Sequence, residues 1–276
     1  AGERAGNATE RYPSAPNDLQ LVADLKGQVP VVAIVLGASA GHGALTGMFA
    51  DFIIMVEGAA LFTAGPPLVQ ASLGMEATPE ELGGANMHAS QSGVVHNLAA
   101  DEPQAFQQAR YFLSLLPTRA GEPAPRLAMR ASEDAESEAL LDLIPPAGNH
   151  AYDMLQVIDH LVDEKTAFEL QPRFGASIIC AMARFGGCPC MLIANQPSVL
   201  AGAITRQAAE KASNFIEVAD QFGLPLVFLL DNPGEMPGQQ SEREGVLKAA
   251  GQMFAAQRRY RGFEDDLDRD GSRADE

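Results

Sequence analysis

The chain has 276 residues and a formal net charge of −17 at pH 7, which is enough length for one large or two modest domains. So acidic a protein is a poor partner for nucleic acid or an anionic membrane surface, although a local basic patch can still hold an anionic cofactor. The three cysteines, Cys180, Cys188 and Cys190, are too few for a disulfide framework, and we expect free thiols rather than a metal pair. No apolar stretch reaches the roughly 18 residues of a membrane span.

Residues 29–50 predict a strand, a loop of tiny residues and a helix. The apolar, β-branched run over 29–36 is typical of a fully buried strand. It leads into the first loop, Gly37–Gly43, and residues 44–50 predict the helix that follows. Tiny residues let a ligand approach the main chain, and the start of a helix leaves backbone N–H groups without acceptors. Such groups can hold a developing oxyanion, although tight packing alone also explains many loops of this kind.

The remaining pattern alternates short apolar runs with helical segments. It predicts strands over 52–56 and 60–64, a helix led by Pro66, a helix over 101–116, strands over 178–184 and 190–194, a helical face from Ala208 to Phe222 stopped by Gly223, and a buried strand over 224–230. The last strand opens into the second loop, Asp231–Gly238. This alternation predicts an α/β fold of two similar halves, each with a strand that ends in a Gly-rich loop.

Composition predicts the domain boundaries. We expect a first domain over 1–150, which includes a linker-like stretch over 117–146 that is rich in Pro, Gly, Ala and charge. A second domain follows over 151–257. Residues 258–276 are charged and lack an apolar period, so they are predicted to be a disordered polar tail.

Several motifs, in the same order and register from Val29 to Gln257, resemble one family. The first are VPVVAIVLGASAGHGALTGMFADFIIMVEGAALFTAGPPLVQ and EELGGANMHASQSGVVHNLAADE. They resemble the first domain of the carboxyltransferase β-subunits of biotin-dependent acyl-CoA carboxylases. YDMLQVIDHLVDE, GGCPCMLIANQPSVLAGAI and EKASNFIEVADQFGLPLVFLLDNPGEMPG resemble the opening of the second domain. The resemblance implies two tandem crotonase-like domains of the ββα superhelix type. Both are expected to be incomplete, since the family's upstream strands and its second oxyanion loop find no match.

The resemblance also implies site residues. The family's loop Gly-Pro-Cys-Ala-Gly-Gly matches residues 37–42, so the backbone N–H groups of Gly41 and His42 are the expected oxyanion donors. The expected substrate-binding residues are Gly37, Ala38, Ser39, Ala40, Gly43, Gly83 and Gly84. On the biotin side, the family's Asp-Val-Pro-Gly-Phe loop matches Asp231, Asn232, Pro233, Gly234 and Glu235. Here Asn232 replaces an aliphatic residue and Glu235 an aromatic one.

The function implied by the resemblance is transfer of a carboxyl group from carboxybiotin to the α-carbon of a short acyl-CoA. Carboxybiotin on a carrier protein would be the co-substrate, and no metal is expected in this chain. The expected partners are biotin carboxylase and biotin carrier subunits. Further copies of the chain would form a homo-oligomer, commonly a hexamer, with active sites between the first domain of one subunit and the second domain of its partner. The expected location is the cytoplasm, or the mitochondrial matrix in a eukaryote. Two alternatives stay open: a non-catalytic truncated subunit that binds acyl-CoA or only assembles, and an acyl-CoA decarboxylase of the same fold.

Several side chains can be interpreted either as catalytic or metal-binding groups or as structural or solvent-exposed ones. His42 is either a general base or an exposed or capping loop histidine. His88 and His96 are expected to make structural hydrogen bonds rather than to bind a metal. Glu235 is expected to be a solvated carboxylate rather than an acid catalyst. Ser39 lacks the Gly-x-Ser-x-Gly surroundings of a hydrolase nucleophile.

Overall fold

The structure is a computed structural model, and it describes residues 18–128, 140, 143–144 and 151–262. The chain forms two compact units, unit 1 (Ala1–Leu113) and unit 2 (Ser114–Glu276). The boundary between the units lies well before residue 150. The chain at 125–127 is already bonded to unit 2: the Leu127 N–H donates to the Gly187 carbonyl (3.1 Å), and Arg184 donates to the Pro125 carbonyl (2.7 Å). The described start of the predicted linker therefore belongs to unit 2. Residues 129–139, 141–142 and 145–146 of that linker lie outside the described residues.

Unit 1 contains two parallel sheets, in the strand orders β1–β3–β5 and β2–β4. The strands are β1 (Val32–Val35), β2 (Ala38–Ala40), β3 (Phe52–Val56), β4 (Ala60–Phe62) and β5 (Asn97–Ala99). The helices are α1 (Asp18–Ala23), α2 (His42–Gly47), α3 (Pro66–Leu73), α4 (Pro79–Gly83), α5 (Ala85–Met87) and α6 (Glu102–Ser114), with a π-helical turn over His88–Ser92. Every residue of β3 is buried, as expected for a central strand whose side chains all meet other apolar groups.

The strand expected to be fully buried lies instead at the edge of its sheet. Among the described strands, β1 pairs only with β3, and it spans 32–35 rather than 29–36. Its first three residues are only partly buried, and Leu36 just beyond it is 42% exposed. The burial prediction for this run was therefore wrong. An apolar run in the sequence indicates that the strand is hydrophobic, but the strand is fully buried only if other elements pack against it on each side.

Unit 2 is built on one four-stranded sheet in the order β6–β7–β8–β9. Its strands are β6 (Phe168–Leu170), β7 (Ile178–Phe185), β8 (Cys188–Asn195) and β9 (Leu226–Leu229). Its helices are α7 (Met154–Leu161), α8 (Arg206–Phe222), α9 (Gln239–Glu244) and α10 (Val246–Arg259), with a 3-10 turn over Leu200–Gly202. The β6–β7 and β7–β8 pairs are antiparallel, and β8–β9 is parallel.

The helix predicted over the Ala208–Phe222 face is confirmed as α8. The Thr205 hydroxyl accepts the Ala208 N–H at its start, and Gly223 ends it in the left-handed conformation (φ 63°). The strand predicted as buried over 224–230 is β9, which lies at the edge of its sheet among the described strands, and its flanking Leu230 is 75% exposed. That prediction was wrong for the same reason as for β1.

The start of the predicted tail belongs to the folded unit. Helix α10 continues to Arg259, and Tyr260 is buried, with its hydroxyl donating to the Leu224 carbonyl (2.7 Å). One aromatic residue therefore anchors the chain where composition alone predicts a polar tail. Residues 263–276 lie outside the described residues.

Candidate active site

The first loop carries the chain from β1 through β2 into α2. Its residues Ala38, Ser39 and Ala40 form β2 rather than an irregular loop, because they pair in parallel with Ala60, Leu61 and Phe62 of β4. Gly41 then adopts φ 59° and ψ −123°, a conformation that residues with a Cβ rarely reach. The strand can therefore turn directly into the helix that begins at His42.

The backbone N–H groups at this turn differ in whether they have a hydrogen-bond acceptor. The Gly41 N–H donates to the Phe62 carbonyl (3.1 Å), and the Leu45 N–H closes the first helical turn on the Gly41 carbonyl (2.9 Å). The N–H groups of His42 and Gly43 have no acceptor among the described residues, as is usual in a first helical turn. The expected role of Gly41 as an oxyanion donor would require its bond to Phe62 to open, whereas the His42 amide is already open.

The His42 side chain has a partner that no sequence pattern indicates. Its Nε2 lies 2.8 Å from Oδ2 of Asp18, the first residue of α1. The hydrogen bond from His42 lowers the pKa of Asp18, so this residue is a carboxylate at neutral pH. The imidazole is therefore oriented by an anion and is not simply a solvated loop side chain.

A cavity of about 390 Å³ lies beside the first loop. Gly37, Ala38, Ser39 and Gly43 line it, and so does Val22 of α1. The rest of its lining comes from β1 and the residues that flank it, from the end of α2 and the residues after it, and from Ile53 and Leu61. Four of the expected substrate-binding residues therefore border a common space.

Gly83 and Gly84 lie against β4. Gly84 forms an isolated bridge with Ala60, and Ala60 pairs with Ala38 of the first loop. A Cβ at Gly83 would lie 2.1 Å from the Leu61 carbonyl oxygen, so the close packing of the backbone requires glycine there. This is a packing reason for Gly83, and direct substrate contact by the pair stays a prediction.

His88 and His96 both make structural hydrogen bonds, as expected from the sequence. His88 bonds the Leu61 carbonyl through Nε2 (2.6 Å) and the Ser92 hydroxyl through Nδ1 (2.7 Å). His96 accepts the Ile53 N–H on Nδ1 (3.2 Å) and stacks on Phe52. Burial lowers the pKa of His96 to about 4, which keeps this ring neutral. Within the described ranges, no group of three or more His, Cys, Asp or Glu side chains is placed to hold a metal ion.

The second loop is tied to the end of β8. The Asn232 amide donates to Asn195 Oδ1 (2.9 Å), and its carbonyl accepts the Gly234 N–H (2.9 Å). Asn195 is buried and donates to the Gly202 carbonyl (3.0 Å). The departure from an aliphatic residue at position 232 therefore fits this structure, because both polar ends of the side chain are used.

The structure also gives the contacts and the exposure of the other residues of the second loop. The Tyr152 hydroxyl donates to Asp231 Oδ2 (2.8 Å), and burial together with this carboxylate raises the pKa of Tyr152 to about 12. Pro233 is exposed, and so is the side chain of Glu235. With Asn195 and Asn232, it contributes to the lining of a cavity of about 430 Å³ whose other walls are mostly apolar.

The first loop belongs to unit 1 and the second to unit 2.

Residues 20–261 match the family model of the carboxyl transferase domain. The chain belongs to the carboxyl transferase domain family. The α/β, crotonase-like fold expected from the sequence is confirmed by solved carboxyltransferases. The chain is 34% identical to a transcarboxylase 12S structure with methylmalonyl-coenzyme A and methylmalonic acid bound, with a TM-score of 0.84 over 88% of this chain and 47% of that one. A single-chain, multi-domain long-chain acyl-CoA carboxylase gives a TM-score of 0.81 at 30% identity, over 94% of this chain and 25% of that one.

Curated relatives carry both carboxylase and decarboxylase names. The methylmalonyl-CoA decarboxylase subunit alpha of Veillonella parvula is 37% identical over 83% of this chain and 45% of that protein. The biotin-dependent acetyl-/propionyl-coenzyme A carboxylase beta5 subunit of Mycobacterium tuberculosis is 36% identical over 83% of this chain and 43% of that protein. The chain thus spans less than half the length of these relatives. No helix in the described part of the chain is long and apolar enough to cross a membrane.

Proposed function

We propose that this chain is the carboxyltransferase component of a biotin-dependent acyl-CoA carboxylase and moves a carboxyl group from carboxybiotin to the α-carbon of a short acyl-CoA. The observation that carries this proposal is the first loop. It presents the amides of His42 and Gly43, which have no acceptor in the described part of the chain, next to a cavity of about 390 Å³ in a member of the carboxyl transferase domain family. The methylmalonyl-coenzyme A bound in the transcarboxylase 12S structure supports a CoA thioester as the substrate.

The chain's contribution to the reaction is to position the thioester and stabilise charge. Removing the α-proton of an acyl-CoA places negative charge on the thioester oxygen, and a backbone N–H aimed at that oxygen stabilises the enolate. Carboxybiotin supplies CO2 and, after losing it, a ureido nitrogen that can accept the α-proton. The enolate carbon then attacks CO2. The His42 amide is the first donor we assign, and the Gly41 amide becomes a second if its bond to Phe62 opens.

We assign the biotin side to the second loop in unit 2. The walls of its cavity of about 430 Å³ are largely apolar and suit the hydrocarbon part of a biotinyl group, while the exposed carboxylate of Glu235 offers an acceptor for an N–H of the ureido ring. Asp231 is held by Tyr152, so this end of the loop has a defined position.

Partners follow from the same proposal. A carboxyltransferase needs a biotin carboxylase and a biotin carrier to deliver carboxybiotin, and we propose both as partner subunits. One solved relative is described as a hexamer assembly that forms a multienzyme core. This supports a homo-oligomer for the present chain, in which the first loop of one subunit works with the second loop of another.

Decarboxylation is the second candidate function. Two relatives, from Veillonella parvula and Propionigenium modestum, are named methylmalonyl-CoA decarboxylase subunit alpha at 37% and 33% identity. Loss of CO2 from a malonyl-type thioester produces the same enolate, so the same backbone donors would serve either direction.

Radiolabelled bicarbonate distinguishes these functions. The chain would be mixed with a biotin carboxylase, its carrier protein, ATP and propionyl-CoA, and acid-stable label would be counted. Incorporation that depends on the chain supports carboxyl transfer, whereas CO2 release from methylmalonyl-CoA without incorporation supports decarboxylation. Binding of propionyl-CoA in calorimetry with neither reaction identifies a non-catalytic subunit. Absence of binding contradicts the proposed thioester site.

A further inference from the structure

The pair formed by Asp18 and His42 is close in the chain to two residues that line the cavity beside the first loop. Asp18 and Val22 are four residues apart on α1 and so share one face of that helix. Val22 lines the cavity, and so does Gly43, the residue that follows His42. The side chain of His42 is 36% exposed and that of Asp18 71% exposed. A pair this exposed contributes little to stability.

The pair has the arrangement of an oriented base. A carboxylate only accepts hydrogen bonds, so His42 Nε2 carries the proton directed at Asp18 Oδ2 (2.8 Å). In the neutral ring this leaves the lone pair on Nδ1, which has no hydrogen-bond partner in the part of the chain that the structure describes. A carboxylate that fixes the tautomer of an imidazole and stabilises its protonated form is a recurring device for proton transfer.

We propose that His42 and Asp18 give this chain a second activity, the exchange of α-hydrogens of a CoA thioester with solvent, without biotin. His42 Nδ1 accepts the α-proton, the C–H electron pair becomes the C=C bond of the enolate, and the thioester oxygen takes the negative charge. The imidazolium then exchanges with solvent, and the same nitrogen returns a proton to the α-carbon. His42 is the catalytic residue in this exchange and Asp18 its positioning residue. The inference rests on the thioester site proposed above.

The exchange reaction depends on the ring of His42, whereas carboxyl transfer depends on its backbone N–H. In carboxyl transfer the ureido nitrogen accepts the α-proton, so only the backbone N–H of His42 is needed. In the exchange reaction no ureido group is present, and the ring is the group at this loop that an anion orients. A substitution that removes the ring is therefore expected to abolish the exchange reaction.

The test is deuterium incorporation into propionyl-CoA in D2O at neutral pD, followed by mass spectrometry with no biotin carrier present. His42→Gly removes the ring, and Asp18→Asn removes the orienting charge. Asp24→Asn is the matched control, because Asp24 is an exposed carboxylate just beyond α1. Calorimetry with propionyl-CoA measures thioester binding for each protein, and circular dichroism compares their folded content.

The wild type and Asp24→Asn are expected to exchange well above buffer. His42→Gly should lose about 10²-fold or more, the usual contribution of a general base. Asp18→Asn should lower the maximal rate at least about tenfold with little change in KM, which a merely structural contact would not produce. Binding without exchange in the wild type, or equal rates in the wild type and His42→Gly, overturns this inference and leaves the thioester site intact. Absence of binding overturns both.

Discussion

Protonation of the buried His96 should destabilise unit 1 in mild acid. His96 is 8% exposed, and its Nδ1 accepts the Ile53 N–H (3.2 Å) at the start of the central strand β3. A second proton on the ring would occupy Nδ1, break this bond and place a charge where burial disfavours it. Substitution by asparagine removes the titration, because its amide does not ionise in this range.

The magnitude follows from the pKa. Burial lowers the pKa of His96 from 6.5 to about 4, and one pKa unit corresponds to about 1.4 kcal/mol. Protons bind the unfolded state first, so the contribution is fully present above pH 6.5 and is lost as the pH falls toward 4. Across that window the wild type should lose about 3 kcal/mol relative to His96→Asn. Asp51 acts in the opposite direction because burial raises its pKa, but it is the same in both proteins and cancels in the comparison.

The assay is urea unfolding at several pH values between 7 and 4, with amide exchange of the β3 peptide (52–56) reporting on unit 1. His160→Asn is the control, because His160 is an exposed histidine on α7. We expect a steeper loss of stability on acidification in the wild type and in His160→Asn than in His96→Asn. Equal pH slopes in all three proteins, or a His96 titration near pH 6.5 by NMR, would refute the burial argument.

Two further predictions concern the first loop and its support. His42→Gly should leave carboxyl transfer within a few-fold, because the N–H persists. His42→Pro removes that N–H and should cost on the order of 10²–10³ in rate, once circular dichroism shows that it folds; a severe loss in a folded His42→Gly would contradict the backbone mechanism. Gly83→Ala should lower stability by about 1–3 kcal/mol in thermal unfolding, since its Cβ would lie 2.1 Å from the Leu61 carbonyl oxygen. Gly37→Ala, with no atom within 4 Å of the added Cβ, is the control, and equal effects of the two would count against the packing argument.

Local pattern was sufficient wherever the physical cause is local. Five consecutive apolar residues predicted β3 with its observed bounds, Phe52–Val56. The helical period that ends at Gly223 predicted α8 and its left-handed stop. The ordered motifs around the two loops predicted the carboxyl transferase family, because the match depends on residue order and not on three-dimensional contacts.

Tertiary structure decided everything that depends on residues distant in sequence. The burial of β1 and β9 depends on which strands pair with them, and both are edge strands among those described. The carbonyl that engages Gly41 comes from Phe62, and the carboxylate that orients His42 comes from Asp18, 24 positions away. Hydrogen bonds and burial are set by distance in space. The sequence by itself therefore determined the family, the α/β class and the positions of the loops, whereas the fold decided which of their amides and side chains are hydrogen-bonded.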